Sequence, residues 1–136
     1  SEAIIRNIRI ETELEGFLPL VHANKVQIQQ VVINLMMNAA ESMMDEYEYE
    51  NRRIVMQTKA IDGNRVQVAV RDFGVGIDNQ GSSKIFEPFF TTKRSGLGMG
   101  LSLVRSIIEA QGGHIWAENN PDKGATFYFE VPGFKQ

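Results

Sequence analysis

Apolar and polar positions alternate along the chain with two different periods, and the switches between them divide it into elements. Residues 4 to 14 alternate with period two, with Ile8, Ile10, Thr12 and Leu14 on one side, which predicts a half-buried strand. "LPLVHA" (18–23) gives a second short strand. From Asn24, a good N-cap residue, apolar positions continue at helical spacing to about Met44, predicting a largely buried helix. The polar "EYEYENR" (46–52) leads to "RIVMQTKAI" (53–61) and "RVQVAVRD" (65–72), two strands joined at Asp62-Gly63-Asn64, a hairpin turn. A Gly- and Ser-rich segment, 73–96, carries two aromatic clusters. "LGMGLSLVRSIIEAQ" (97–111) is a helix stopped by Gly112-Gly113; "HIWAEN" (114–119) and "ATFYFEV" (125–131) are strands separated by a turn at 120–124. These elements sum to one domain over 1–136, with helices covering one face of a sheet: an α+β fold in two layers.

Composition narrows the picture without redirecting it. Apolar residues at 43% and charged residues at 23% of 136 positions are ordinary globular values. A net charge of −3 leaves no basic footprint and argues against a nucleic-acid binder. Without cysteine there is no disulfide or thiolate metal site, and the distant His22 and His114 do not make a zinc site. No apolar run approaches the roughly 18 residues that span a bilayer, and no signal-peptide pattern is present. A soluble, cytoplasmic domain without membrane insertion of its own is expected, and the abrupt opening on a strand pattern reads as a fragment of a longer protein.

Candidate chemistry starts on the first helix. At about 100° per residue, Gln27, Gln30, Asn34, Asn38 and Glu41 fall within an arc of roughly 80° on an otherwise apolar surface. A solvent-facing stripe would favour Glu, Lys and Arg; two Asn four residues apart are locally unfavourable in a helix. Amide oxygens suit a hard cation such as Mg²⁺, which shares its ligands with phosphate.

A second candidate stands at the end of "RVQVAVRD". Period two places Asp72 on the apolar side with Val66, Val68 and Val70. A carboxylate there needs hydrogen-bond donors: a backbone amide, a water or a ligand amino group. Capping of the following Gly74/Gly76 turn is the simpler alternative. Asp72-Phe73-Gly74 also matches a protein-kinase tripeptide, but the Gly-rich loop, strand lysine and H-R-D loop that should accompany it are absent.

A third candidate is "SGLGMGLSLV". Gly96, Gly98 and Gly100 precede a helix N-terminus, where backbone N–H groups can receive an anion. In "IFEPFFTTKRS" before it, Phe86, Phe89 and Phe90 provide either core packing or the anchor of a lid, and Lys93 and Arg94 are placed to neutralise phosphate charge.

In this order the motifs resemble the catalytic ATP-binding domain of sensor histidine kinases, of the Bergerat-type (GHKL) superfamily. "NLMMNAAESM" looks like the N box, "DFGVGI" like the first glycine box, "FEPFFTTK" like the F box, "GLGMGL" like the second glycine box and "GATFYFEVP" like the final strand. "TTKRSGLGMGLSLV" and "GGHIWAENNP" look most like the nitrogen-regulation and oxygen-sensing branch. The resemblance implies a mixed, mostly antiparallel sheet packed against about three helices, with ATP and Mg²⁺ as cofactors. It implies that Asp72 accepts from the adenine amino group, that Asn38 holds Mg²⁺ with Asn34 on the same face, that Gly74 and Gly76 let the chain approach the base, and that Ile77 belongs to the ATP-binding residues. Gly98 and Gly100 would let the chain approach the phosphates, Lys93 would contact phosphate from the lid, Thr126 would add a contact near adenine, and Phe86, Arg94, Gly96 and Leu101 belong to the ATP-binding residues.

Two departures bear on chemistry. Hydrolytic relatives of this fold carry a Glu where Asn34 stands, and an amide cannot take a proton from water at neutral pH. Glu41 stands where many family members have Lys or Arg. The implied activity is transfer of the γ-phosphate to a histidine on a separate dimeric phosphoacceptor domain, then passed to a response regulator receiver domain. Neither His22 nor His114 fits that acceptor, so the chain alone should not phosphorylate itself. The resemblance implies a sensor as the parent protein and leaves open whether that sensor is membrane-anchored. An ATP hydrolase of the same fold and a nucleotide-binding regulatory module are the alternatives.

Overall fold

The structure is a computed structural model describing residues 2–5, 8–21, 23–44, 52–62, 64–78, 84–87 and 98–133. Its strands are β1 (Glu2–Ile5), β2 (Ile8–Leu14), β3 (Arg53–Ile61), β4 (Arg65–Arg71), β5 (His114–Asn119) and β6 (Ala125–Pro132). They form one six-stranded sheet in the order β1-β2-β3-β4-β6-β5. Among the described strands only β2 and β3 run parallel; every other pair is antiparallel. A parallel pair needs a crossover connection, and helix α1 (Lys25–Ser42) provides it. Helix α2 (Gly98–Ala110) precedes β5. The mixed, mostly antiparallel α+β architecture is therefore as expected, with two helices among the described residues where about three were anticipated.

Strand alternation assigns the two sheet faces. Ile8, Ile10, Ile54, Val66, Val70, Phe127, Phe129 and Val131 are buried with Val31, Leu35 and Ala39 of α1 and Val104 and Ile108 of α2. Each of these side chains except Ala39 contributes about 1.5–3 kcal/mol by leaving water. The alternate positions carry polar and aromatic pairs. Trp116 stacks on Tyr128 at 5.2 Å, and Phe73 lies under Arg53 and Arg71 at 4.3 and 5.0 Å.

Both helices are fixed at their ends by the residues the sequence singled out. Asn24 Oδ1 accepts from the Gln27 N–H at 3.0 Å. Gly112, at φ +82°, donates to Glu109 O, and Gly113 donates to Ile108 O, both at 3.0 Å, the paired bonds of a Schellman cap. The Gln111 side chain then accepts from the Asn24 N–H at 3.0 Å, joining the end of α2 to the start of α1.

Three expectations are corrected. Residues 4–14 are two antiparallel strands, with Ile5 opposite Ile8; alternation in both arms imitates one longer strand. Segment 18–23 is no strand among its described residues, contributing a single bridge from Val21 to Gly133. Its apolar Leu18 and Leu20 are exposed, so no core face holds it in a sheet. Helix α1 is not largely buried: Val26 is 72% and Ile33 56% exposed. That flank overhangs β2 and β3 and leaves an apolar cleft of about 240 Å³ lined by Ile8, Ile10, Ile33, Met36, Met37, Ala40 and Ile54.

Asn24→Ala should cost about 1 kcal/mol, a fall of about 3–5 °C in melting temperature. Gly113→Ala should cost more, because its Cβ would collide with the Glu130 carbonyl oxygen. Thermal melts that reverse this order would show that the cap, not the close approach, limits stability.

Candidate functional site

The site grows from the end of β4. Alternation carries one residue past the strand, so Asp72 follows Val66 and Val70 into the interior and is 1% exposed. Two backbone amides satisfy its Oδ1: Gly74 N–H at 3.0 Å and Ala125 N–H at 3.2 Å. Its own N–H donates to Ala125 O at 2.9 Å, so β6 grips both the backbone and the side chain. These two amides give the buried carboxyl hydrogen-bond partners in place of water.

The loop after Asp72 is shaped by protein neighbours at each glycine. A Cβ on Gly74 would collide with the Ser42 carbonyl at the end of α1, and Val75 N–H donates to that same oxygen at 3.3 Å. Gly76 has φ +80°, and its Cβ would lie 2.8 Å from Asn119 Oδ1. In the 120–124 turn, Gly124 leaves room for the Asp72 carbonyl. The loop is thus pinned to the last turn of α1, one turn beyond Asn38.

Along α1 the polar stripe passes from solvent to interior. Gln27 and Gln30 are exposed, Asn34 and Glu41 half-buried, and Asn38 is 3% exposed. The Asn38 Oδ1 is buried without a hydrogen-bond partner among the described residues. A buried acceptor left unpaired costs about 1–3 kcal/mol, so it calls for a donor or a cation from outside the described residues. Asn34 Oδ1 lies 3.9 Å from the place a Cβ on Gly100 would take, so the stripe abuts the first turn of α2.

The remaining expected residues divide three ways. Gly98 opens α2, Leu101 is buried in the core, and Ile77 is partly buried against it. Phe86 packs edge-on to Phe127 at 6.0 Å and 75°, which favours core packing for this member of the aromatic cluster. Lys93, Arg94 and Gly96, with Phe89 and Phe90, lie outside the described residues. Thr126 pairs with Arg71 on the sheet face opposite Asp72, and its hydroxyl donates to Asn120 Oδ1 at 2.5 Å. The β6 group that meets the carboxylate is instead the amide of Ala125.

Asn119 and Asn120 escaped the sequence reading. Asn120 Nδ2 donates to Asp72 O at 3.0 Å and Lys123 O at 2.9 Å. Asn119 accepts from Ile77 N–H at 2.7 Å and donates to Ile77 O at 2.9 Å. Consecutive Asn at a strand-to-turn junction is the available signal, since Asn side chains readily imitate backbone partners. In the same turn the amide of Lys123 and its own amide, with Arg71 beside it, hold the exposed Asp122 carboxyl below its ordinary pKa.

Residues 23–134 match the family described as histidine kinase-, DNA gyrase B-, and HSP90-like ATPase. The chain belongs to that family. Among curated relatives it is 44% identical over 127 residues to the sensor protein FixL of Bradyrhizobium diazoefficiens, covering 93% of this chain and 25% of that protein. It is 38% identical to the sensor protein TdiS of Thauera aromatica, over 93% of this chain and 23% of the relative. The chain thus spans about a quarter of each. The solved catalytic domain of histidine kinase ThkA, in a nucleotide-free form, is 36% identical with a TM-score of 0.72, covering 91% of this chain and 79% of that one. Full-length ShkA in complex with AMPPNP is 28% identical with a TM-score of 0.73, over 93% of this chain and 26% of that one. Family and fold thus agree with the resemblance carried by the five motifs.

Asn38→Leu provides a test of the unpaired amide. Leucine removes the buried acceptor and is the better helix former, so the ligand-free protein should be stabilised by up to about 1 kcal/mol. A clear drop in melting temperature would show that Asn38 is satisfied within the fold.

Proposed function

We propose that the chain binds Mg·ATP and presents the γ-phosphate to a histidine on a separate dimeric phosphoacceptor domain of its parent protein, in two-component signalling. The observation that carries this is the buried Asp72 carboxylate, held by the Gly74 and Ala125 amides beside a loop pinned to α1. Such an acceptor suits an amino group and repels a carbonyl, which selects adenine over guanine.

Each part of the nucleotide then has a place. Asp72 accepts from the exocyclic amine, and the 74–77 loop with Ile77 borders the base. Thr126 acts on the same corner through Asn120. The phosphates approach the glycine-rich start of α2 at Gly98 and Gly100, with Gly96, Lys93 and Arg94 closing from the preceding segment. Asn38 would hold Mg²⁺, and its unpaired buried oxygen fits a hard cation that prefers oxygen ligands. The cation, when bound, spreads the charge of the phosphates. Asn34 lines the same face and, as an amide, does not activate water, so delivery to another nucleophile is favoured over hydrolysis. Positioning and charge stabilisation carry the reaction.

The names of the relatives support the setting. ThkA has been solved with the response regulator TrrA, and a receiver domain is the partner proposed here downstream of the phosphohistidine. No helix among the described residues is long and apolar enough to cross a membrane. We place this domain on the cytoplasmic side, whether or not the parent is anchored.

Asp72→Asn keeps an oxygen for the two backbone amides but turns its other atom into a donor. The domain should remain folded, while Mg·ADP affinity measured by titration calorimetry falls about 10- to 100-fold. Equal affinity in the two proteins would remove Asp72 from base recognition.

A further inference from the structure

We infer that Asn119 is a positioning residue for the base-facing wall of the site, an inference that rests on the nucleotide reading above. Its side-chain amide satisfies both backbone groups of Ile77, accepting from the N–H at 2.7 Å and donating to the carbonyl at 2.9 Å. The orientation of the amide follows from chemistry, since only its oxygen can accept from an N–H and only its NH₂ can donate to a carbonyl. After Arg71 the chain leaves the sheet, and Asn119 gives Ile77 the two hydrogen bonds a neighbouring strand would have provided.

The location of Asn119 makes this more than a local turn contact. It is the last residue of β5 and stands opposite Ala125 in the β5–β6 ladder. Ala125 holds Asp72 and Asn119 holds Ile77. One rung of the ladder therefore fixes both ends of the loop, and with them the separation between the base acceptor and the wall residue. The loop is cut to fit: Gly76 takes φ +80°, and a Cβ there would lie 2.8 Å from Asn119 Oδ1. Asn119 itself is solvent-exposed, so water competes for its bonds. Its removal should displace Ile77 and hardly alter global stability.

The test compares wild type, Asn119→Ala and Asn119→Asp by hydrogen exchange without nucleotide and by titration with Mg·ADP and with adenosine. In Asn119→Ala the Ile77 amide should exchange about tenfold faster while the Gly74 and Ala125 amides keep their protection. Affinity for Mg·ADP and for adenosine should fall by the same factor, about three- to tenfold, because the wall meets the base and not the phosphates. Asn119→Asp keeps the acceptor for the Ile77 N–H and should lie between the two; it carries the test if the alanine variant does not fold. Unchanged exchange at Ile77, or faster exchange with unchanged affinity, overturns the positioning role. So does a general loss of protection that includes Gly74 and Ala125, which marks a structural contact only. A wild type that binds neither ligand overturns the nucleotide reading and the positioning role with it, while the exchange data still report separately on the clamp.

Discussion

One buried carboxylate governs the arrangement of this domain. Asp72 is nearly inaccessible to water, and a polar side chain in that setting needs hydrogen-bond partners aimed at it. One donor is local, from Gly74; the other comes from Ala125, 53 residues away. Satisfying both at once requires β6 to lie directly beside β4, and it requires the chain after Asp72 to turn back tightly. The close approaches at Gly74 and Gly124 follow from that constraint, since each leaves space for a carbonyl oxygen at the rim of the same corner. Glycines that suggest access for a ligand are therefore needed first by the protein's own backbone.

Helix α1 answers to a different balance. Its inner side packs Val31, Leu35 and Ala39 into the core, and its polar stripe sinks from exposed Gln27 to buried Asn38. A helix that carries Asn at two positions one turn apart, one of them with an unpaired oxygen, is less stable than its apolar content allows. Local cost of this kind is commonly retained where a site must be ready for a partner. The core packing around it holds the side chain in place despite that cost.

The parts legible in the sequence were those that repeat. Period two along β4 predicted the face of Asp72, helical spacing predicted the Asn34–Asn38 stripe, and cap chemistry placed Asn24 and Gly112. What stayed hidden was reversal and reach. Alternation runs through the sequence of both β1 and β2, so period alone cannot divide the antiparallel pair. The exposed flank of α1 carries Val26, Ile33 and Met37, which composition assigns to a core that the sheet edge does not extend to cover. Asn119 and Asn120 act on Ile77 and Asp72 through contacts more than 40 residues long, 42 and 48, and no local pattern encodes such a distance. Thr126 shows the complementary case: its proximity in sequence to the site was legible, but β6 alternation turns its side chain to the other face.

The placement of the last strand has a consequence for the order in which the domain can be completed during synthesis. β6 is the last of the described strands to be made, yet it occupies an interior place, and β5 has no other neighbour among the described strands. Until residues 125–132 are available, β5 lacks its pairing partner and Asp72 lacks its distal donor. A nascent or truncated chain ending before Ala125 would expose the edge of β4 and carry a half-satisfied carboxylate. Formation of the corner around Asp72 is thereby tied to the arrival of the final strand.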